Sequence, residues 1–234
     1  MPQIIIGIQA RSSSTRLPRK AFELIGGKRL LDHVIDASKS AQRYLVRYGR
    51  GEVGVDVVLL TPTGDPIVDA FRGRCLIQQG SEQDVLSRYY EAGKTYDYTV
   101  RLTGDCPLIP DYLIAKHVKN ALACSYDYVS NVEEDLRTSI DGHDCEVLSR
   151  KLLDHLNETA ELPADREHVT LKARREPPSW AKMGFVINYH DHSNLKFSVD
   201  TVEDLERVRE EYDRREKKLY AAERKFGKQS VHRL

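Results

Sequence analysis

The chain has 234 residues, 40% of them hydrophobic and 31% charged, and its 36 basic residues balance its 36 acidic ones. These values predict one globular α/β domain rather than a disordered chain, and the balanced charge argues against a generic nucleic-acid binder, which is usually basic. No apolar stretch reaches the roughly eighteen residues of a membrane span, so no membrane partner is expected.

Strands and helices alternate in the first half of the chain. Short β-branched runs predict strands, and apolar residues at helical spacing predict helices. In chain order the predicted elements are the strand Gln3–Gln9, the helix Leu30–Ala41, the strands Val55–Thr61 and Cys75–Gln79, the helix Asp84–Tyr96, the strand Tyr98–Leu102, a helix capped by Asp111 that runs to about Cys124, and the strand Tyr126–Ser130. The charged, glycine-bearing segment Arg43–Gly54 is predicted to be a loop. The alternation predicts a mainly parallel sheet covered by helices.

The second half of the chain alternates less regularly. Its predicted elements are the helices Glu146–Leu156 and Asp165–Arg175, the strands Val186–Tyr189 and Leu195–Val199, and a last helix that Thr201 caps together with Asp204 and that runs to about Lys225. The fold class is therefore α/β, with a mixed, mainly parallel central sheet flanked by helices.

A polar and cationic segment, ARSSSTRLPRK, follows the first strand directly. Ligands of doubly wound sheets bind beyond the carboxyl ends of the strands, which is where this segment starts. Its amides and hydroxyls can donate hydrogen bonds to an anion, and its arginines and lysine supply positive charge. It lacks the glycines of a P-loop and of a Rossmann fingerprint. The residues alone leave two interpretations open: a loop that holds polyphosphate, and a solvated basic loop or arm.

Two aspartates that are far apart in the chain each follow a predicted strand. Asp105 in TGDCPLIP comes after the strand Tyr98–Leu102, and Asp200 in KFSVDT comes between the last predicted strand and the last helix. Taken alone, Gly-Asp-x-Pro is a common turn and Asp200 is an ordinary helix cap. If both strand ends lie at one edge of the sheet, the two carboxylates can instead reach the same ligand.

Together these segments resemble the cytidylyltransferase family, whose members activate acidic sugars and related acids with CTP. The cationic segment matches the family signature at Arg11, Ser14, Thr15, Arg16, Leu17, Pro18 and Lys20. Ser12 and Ser13 stand where the family often carries glycine. GDCPL and VDTVEDL are similar to two further family segments, and GSEQDVLSRYY, DGHDCEV and REHVT resemble the spore-coat polysaccharide biosynthesis (SpsF-like) branch. The matches run from Ile4 to about Glu210.

The resemblance implies a Rossmann-like, GT-A-like nucleotidyltransferase fold in a single domain, 1–234, with a small acceptor-side subdomain around 131–195. It implies Mg²⁺ on Asp105 and Asp200, with water and triphosphate oxygens as the remaining ligands. The implied catalytic residues are Arg11, Lys20, Asp105 and Asp200. The implied nucleotide-binding residues are Ala10, Arg11, Ser12, Ser13, Ser14, Thr15, Arg16, Lys20, Gly80, Ser81, Asp84, Arg88, Thr103 and Gly104. The implied acceptor-binding residues are Asp144, Glu146, Arg166 and His168.

Some of these side chains have a structural interpretation as well. Ser81, Asp84 and Arg88 are equally explained as a helix cap and a surface pair, and Arg166 as one half of a structural ion pair. The histidine and acidic residues of DGHDCEV lack the spacing of a metal site, so an acceptor pocket is the preferred interpretation there.

The leading hypothesis is a CTP-dependent cytidylyltransferase that transfers CMP to a small acidic or phosphorylated acceptor, with release of pyrophosphate, in surface-polysaccharide or related biosynthesis. A nucleotide-sugar glycosyltransferase of the same fold is the alternative, although GDCP lacks the Asp-x-Asp of that class. A non-enzymatic anion- or nucleic-acid-binding module is a weaker third. CTP and the acceptor are the expected partners, and related enzymes are often homodimers. Four widely spaced cysteines and the lack of a signal-peptide pattern favour the cytoplasm.

Overall fold

The computed structural model describes residues 1–49 and 51–226, except for the side chains of residues 220 and 222–226. In chain order the strands are β1 (Gln3–Gln9), β2 (Leu24–Ile25), β3 (Lys28–Arg29), β4 (Gly54–Pro62), β5 (Leu76–Gly80), β6 (Tyr98–Thr103), β7 (Tyr128–Ser130), β8 (Glu146–Ser149) and β9 (Met183–Phe185). The α-helices are α1 (Leu30–Tyr48), α2 (Ile67–Ala70), α3 (Val85–Gly93), α4 (Asp111–Cys124), α5 (Arg150–Thr159), α6 (Pro163–Glu167), α7 (Leu171–Arg175) and α8 (Val202–Phe226).

Seven strands form one sheet in the order β5-β4-β1-β6-β8-β7-β9, and β2 pairs with β3 in a small hairpin. β5, β4, β1 and β6 are parallel neighbours, β8 runs antiparallel to both β6 and β7, and β9 is parallel to β7. The sheet is therefore mixed but mostly parallel, which confirms the predicted fold class.

β1 lies inside the sheet, between β4 and β6, and both of its faces are apolar. Ile4, Ile6 and Ile8 pack in the cluster formed with α1 and α4. Ile5 packs in the cluster formed with α3 and α5 on the other face. A strand that is buried on both faces is typical of a parallel sheet covered by helices.

A third apolar cluster joins the start of the chain to its last helix. It consists of Leu17, Ile25, Leu30, Leu108, Phe197, Val199, Leu205 and Val208. Beside this cluster, the amide of Val199 donates to the carbonyl oxygen of Asp105 at 2.9 Å. This packing brings Asp200 next to Lys20, although 180 positions separate the two residues in the chain.

The prediction of a loop over Arg43–Gly54 is wrong for most of its length. α1 continues to Tyr48 because Leu45 extends its buried face, and it ends at Gly49, whose amide donates to the carbonyl oxygen of Leu45 at 2.8 Å. β4 already begins at Gly54. Arg50 lies outside the described residues. Of the glycines that suggested a loop, Gly49 ends the helix, Gly51 lies in the short turn that follows, and Gly54 begins β4.

The predicted helix Glu146–Leu156 is divided between a strand and a helix. Glu146–Ser149 pairs with β6 and β7, and α5 then begins after Ser149, whose hydroxyl accepts from the amide of Leu152 at 3.2 Å. Pairing on both sides satisfies the backbone of these residues, and this tertiary effect outweighs their helical spacing. The segment 131–195 thus supplies β8 and β9 to the central sheet. Its role as an acceptor-side subdomain stays a prediction.

Three further predictions concern the second half of the chain. Asp165–Arg175 forms two short helices rather than one, and the predicted strands Val186–Tyr189 and Leu195–Val199 are wrong, because β9 ends at Phe185 and only an isolated bridge joins Lys196 to Asp141. The long last helix is confirmed. Its cap is reciprocal: the amide of Asp204 donates to Thr201 Oγ1 at 3.3 Å, and the amide of Thr201 donates to Asp204 Oδ2 at 3.1 Å.

The predicted cap at Asp111 is also wrong. α4 begins after Pro110 without a side-chain cap, and Asp111 accepts from the amide of Tyr112 at 2.7 Å and from the hydroxyl of Ser40 at 2.5 Å. Within the described residues, no helix combines the length and the apolar composition that a membrane span needs.

Candidate active site

A cleft of about 290 Å³ opens where β1 and β6 end. This is the edge at which parallel sheets bind their ligands. The predicted site residues that line it are Ala10, Arg11, Ser14, Thr15, Arg16, Lys20, Arg88, Thr103, Gly104, Asp105, His168 and Asp200. The predicted site residues that do not line it are Ser12, Ser13, Gly80, Ser81, Asp84, Asp144, Glu146 and Arg166.

Lys20 connects the two aspartates that were predicted to bind metal. Its Nζ donates to Asp105 Oδ2 at 2.8 Å, to Asp200 Oδ1 at 3.1 Å and to the carbonyl oxygen of Val199 at 2.7 Å. Burial lowers the pKa of Lys20, but the attraction of both carboxylates outweighs burial and the pKa is raised. Burial likewise raises the pKa of Asp105, but Lys20 outweighs it and the pKa is lowered. Both groups are therefore charged at neutral pH.

Asp200 is surrounded by further cations. Arg16 Nη2 lies 2.9 Å from its Oδ1, and Lys196 Nζ lies 3.6 Å from its Oδ2. Its backbone amide donates to Asp204 Oδ2 at 3.1 Å, so the cap of α8 also orients this carboxylate. The Arg16 side chain is 64% exposed, which leaves its guanidinium free to turn towards a bound anion.

The two aspartates fit a divalent cation that takes part of its coordination shell from a substrate. Their oxygens converge on one atom, Lys20 Nζ, so they can also converge on one ion. In the part of the chain that the structure describes, no group of three or more His, Cys, Asp or Glu side chains could enclose a metal. Magnesium accepts such sites because water and phosphate oxygens complete its octahedral shell.

The first residues of the cationic segment make contacts away from these aspartates. Arg11 Nη1 lies 3.7 Å from Glu82 Oε1, which also accepts from the Ser13 hydroxyl, and the Ser12 amide donates to Asp65 Oδ2 at 2.8 Å. Glu82 lines the cleft as well. Glu82 was not among the predicted site residues, although it lies within GSEQDV.

Gly104 allows the cationic segment to approach β6 closely. A Cβ atom at this position would lie 2.8 Å from Ala10 Cβ and 3.0 Å from the carbonyl oxygen of Gln9. The Gly104 amide instead donates to that same oxygen at 2.8 Å. Any side chain here would push Ala10 away from Asp105, so glycine keeps the two segments together.

The GSEQDV segment mainly caps and braces α3. Asp84 Oδ1 accepts from the Ser87 amide at 2.9 Å, and Ser81 Oγ accepts from the Asp84 amide at 3.0 Å. Arg166 donates two hydrogen bonds to the same carboxylate, from Nη2 to Asp84 Oδ2 at 2.6 Å and from Nε to Asp84 Oδ1 at 3.0 Å. The cap and the ion pair, which the sequence left as alternatives, are thus what the geometry shows for Ser81, Asp84 and Arg166. Of the four predicted residues Ser81, Asp84, Arg88 and Arg166, only Arg88 lines the cleft.

The predicted acceptor residues are mostly engaged within the protein. Glu146 is 1% exposed and bonds to Arg101 and to the Tyr128 hydroxyl. Asp144 pairs with Arg137 at 2.6 Å, and burial nevertheless raises the pKa of Asp144 to about 6. Of the four predicted acceptor residues, only His168 lines the cleft, where it is joined by the neighbouring Glu167.

A strained turn follows His168. Val169 is fully buried and has a φ of 57°, in the left-handed region that β-branched residues avoid. The His168 carbonyl oxygen accepts from the Thr170 amide at 2.5 Å across this turn. Such strain persists only where the surrounding packing imposes it. The backbone that carries His168 into the cleft is therefore held in place by α6, α7 and the core below them.

Comparison with known proteins identifies the family of the chain. A family model described as Cytidylyltransferase matches residues 4–230. The spore coat polysaccharide biosynthesis protein SpsF of Bacillus subtilis is 27% identical over 227 residues, which is 92% of this chain and 88% of the relative. A cytidylyltransferase structure from Leptospira borgpetersenii has a TM-score of 0.76 and 30% identity, covering 88% of this chain and 84% of that one.

A structure of CMP:2-keto-3-deoxy-manno-octonic acid synthetase complexed with CTP has a TM-score of 0.64 at 18% identity, covering 91% of this chain and 99% of that one. At this identity the likeness concerns the fold. The mostly parallel sheet with its flanking helices is the fold of nucleotidyltransferases. Since the family match spans nearly the whole chain, the protein belongs to the cytidylyltransferase family. This membership favours the first of the three functional hypotheses over the other two.

Proposed function

We propose that the protein transfers CMP from CTP to a small acidic or phosphorylated acceptor, with release of pyrophosphate, in surface-polysaccharide or related biosynthesis. The observation that carries this proposal is the contact of Lys20 Nζ with both Asp105 and Asp200 inside the cleft, at 2.8 Å and 3.1 Å. Such a cluster suits a triphosphate that arrives with a divalent cation. The CTP of the structural neighbour and the polysaccharide role in the name of the Bacillus relative support the substrate classes.

The chemistry requires charge neutralisation and positioning rather than a protein nucleophile. An acceptor oxygen attacks the α-phosphorus of CTP, the bond to the β-phosphate oxygen breaks, and pyrophosphate leaves with that electron pair. Arg11, Arg16 and Lys20 bind the triphosphate and neutralise the charge that develops on the leaving group. Hydroxyls of Ser14 and Thr15, which line the cleft, supply further donors.

Asp105 and Asp200 are the residues that would hold Mg²⁺. When bound, the ion supplies Lewis-acid polarisation of phosphate oxygens and lowers the pKa of a hydroxyl nucleophile. A divalent cation held by these carboxylates would compete with Lys20 for the same oxygens and would leave the Lys20 ammonium available to phosphate oxygens. Lys20 therefore belongs to the catalytic group together with Arg11 and the two aspartates.

The acceptor is proposed to bind on the side of His168. His168 and Glu167 line the cleft on the face formed by α6, away from the cationic segment in the chain. The other predicted acceptor residues form ion pairs within the protein: Asp144 with Arg137, Glu146 with Arg101, and Arg166 with Asp84. They therefore shape this region rather than contact the acceptor.

The test is pyrophosphate release from each of the four nucleoside triphosphates, with Mg²⁺ and a panel of keto-sugar acids, phosphorylated acids and phosphonates. We expect release with CTP and a subset of these acids, and a fall of at least about 100-fold in Lys20→Ala and in Asp105→Asn. Asp69→Asn is the matched control, because among the described residues Asp69 forms an ion pair only with Arg72, at an exposed position. Release from another triphosphate but not from CTP, or undiminished release in Asp105→Asn, contradicts the proposal.

A further inference from the structure

Arg88 places a buried positive charge in the cleft without a carboxylate partner. Its side chain lies on α3, lines the cleft and is only 3% exposed. Its Nη1 donates to the carbonyl oxygen of Leu60 at 3.0 Å, and its Nε has no hydrogen-bond partner. Within residues 1–49 and 51–226, no acidic side chain forms an ion pair with it.

The acidic side chains near Arg88 are already occupied. Asp65 and Glu82 are close enough to influence its charge. Asp65, however, accepts from the Ser12 amide and from the Ile67 amide, at 2.8 Å and 2.9 Å. Glu82 accepts from Ser13 and pairs with Arg11. Both nearby carboxylates thus bond to residues of the cationic segment, and neither forms an ion pair with the guanidinium of Arg88.

A buried, uncompensated charge is costly, and proteins normally pair it or exclude it. Burial lowers the pKa of Arg88, and the like charge of Arg11 acts in the same direction. A guanidinium stays protonated at any physiological pH, so the charge cannot be relieved by loss of a proton. An anion that enters the cleft would supply the missing counter-charge.

The side chain is held in one place before any ligand arrives. The Leu60 carbonyl oxygen that accepts from Arg88 also accepts from the Ala10 amide at 3.0 Å, which ties Arg88 to the first residue of the cationic segment. Gly80 makes room for the stem, since a Cβ atom there would lie 2.8 Å from Arg88 Cγ. An anion therefore meets a group that loses little further freedom on binding.

We infer that Arg88 is a preorganised binding residue for the phosphate groups of the nucleotide and of the pyrophosphate product, and that these anions supply the counter-charge that the protein withholds. The inference rests on the proposed function and refines it. Arg16 and Lys20 are neutralised by aspartates before substrate binds, whereas Arg88 is not. The charge of Arg88 thus contributes in full when the polyphosphate enters.

The experiment compares Arg88→Met, which keeps length and removes charge, with Arg88→Lys, which keeps charge and removes the fork. Calorimetry measures the affinities for CTP, inorganic pyrophosphate and cytidine, and thermal unfolding measures each ligand-free protein. We expect Arg88→Met to lose about 10- to 100-fold affinity for CTP and pyrophosphate, to keep its affinity for cytidine, and to melt no lower than the wild type without ligand. Arg88→Lys is expected to fall between them. Arg72→Met, at an exposed arginine remote from the cleft, is the control.

Each contrary result has a distinct meaning. A lower melting temperature of ligand-free Arg88→Met with unchanged CTP and pyrophosphate affinity shows a structural residue and overturns the inference. An equal loss of cytidine affinity shows that Arg88 contacts base or ribose and also overturns it. If wild-type protein binds pyrophosphate through Arg88 but transfers no CMP, the inference stands and the proposed function fails. If it binds neither CTP nor pyrophosphate, both fail.

Discussion

Charges that line the cleft and charges buried between β6 and β8 are neutralised in different ways. On the side of the cationic segment, Lys20, Asp105 and Asp200 contact one another but keep 15%, 27% and 22% of their side chains exposed to the cleft. On the side of β8, Arg101 and Glu146 pair beneath the surface, where Glu146 is 1% exposed and is also bonded to Tyr128. The first group can exchange its partners for ligands, and the second cannot without opening the core.

Charges that can bind a ligand and charges that hold the fold together differ in their exposure to the cleft. Both groups consist of the residue types expected at an anion or acceptor site, and both lie at functional-looking motifs. Exposure to a common cleft distinguishes them, because a charge that is fully bonded inside the protein has no bonding capacity left for a substrate. Each of the following experiments tests one side of this contrast.

The largest effect is expected from breaking the buried ion pair of Arg101 and Glu146. Glu146→Gln leaves Arg101 as a buried, unpaired cation, so the free energy of unfolding should fall by about 3 kcal/mol or more. Urea denaturation measures this loss, and CTP affinity of the folded variant should stay within about twofold of wild type. The double variant Arg101→Met, Glu146→Leu should recover most of the stability, since it removes both charges. If Glu146→Gln is as stable as the wild type but no longer turns over the acceptor, Glu146 contacts the acceptor and its structural role is contradicted.

A second test measures how stability depends on pH, through a buried histidine that lies near β8. His117 of α4, which packs against β7 and β8, is fully buried, and its Nδ1 lies 2.8 Å from the Leu113 carbonyl oxygen while its Nε2 has no partner among the described residues. Burial lowers the pKa of His117 from 6.5 to about 4, with a smaller contribution from Lys116 of the same sign and one from Glu146 of the opposite sign. The unfolded chain therefore takes up a proton as pH falls below 6.5, while the folded protein does not until about pH 4.

The stability that neutral His117 allows is present above pH 6.5 and is lost as pH falls towards 4. Between pH 6.5 and 5 we expect the wild type to lose about 2 kcal/mol relative to His117→Leu. Urea denaturation of both proteins at each pH measures the difference. The comparison with the variant is needed because Asp144 acts in the opposite direction. The pKa of Asp144 is raised to about 6, so its protonation stabilises the folded protein as pH falls through the same range. Parallel pH curves for the two proteins would show that His117 titrates normally.

The smallest effect is expected at the group that lines the cleft, Lys20, Asp105 and Asp200, and it is a gain in metal affinity. Lys20→Met removes the ammonium that lies within 3.1 Å of both carboxylates, so Mn²⁺ without nucleotide should bind about tenfold more tightly than in the wild type. Titration calorimetry or electron paramagnetic resonance measures this affinity. Lys196→Met should give a smaller gain, because Lys196 lies 3.6 Å from Asp200 and is paired mainly with Asp204. Equal or weaker Mn²⁺ binding in Lys20→Met would show that the two carboxylates do not form the metal site.

Much of the first half of the fold could be predicted because its signals are local. The apolar run of β1 and the spacing of α3 and α4 are properties of short windows, and the structure confirms these elements within a few residues. The failures cluster where partners are distant. β8 was predicted to be helical, and its strand exists only because β6 and β7 supply hydrogen bonds on both sides.

The same division holds for the candidate site. The cationic segment, Asp105 and Asp200 could be picked out by residue type and by the family signature, although the strand predicted before Asp200 is not formed. Which of their neighbours stay free could not be predicted. Arg88 and Arg166 are both arginines near GSEQDV in space, yet one is bound to Asp84 and the other is not paired with any described carboxylate.

The class of this protein could be read from its sequence: an α/β sheet with a cationic segment after its first strand and two aspartates in segments that resemble the family signature. Tertiary structure alone decided which charges serve the cleft. The reason is physical, because the availability of a charged group depends on the desolvation and hydrogen bonds that the packed fold imposes on it. Those contacts join Lys20 to Asp200 across 180 positions and withhold a carboxylate from Arg88, and no local pattern encodes either.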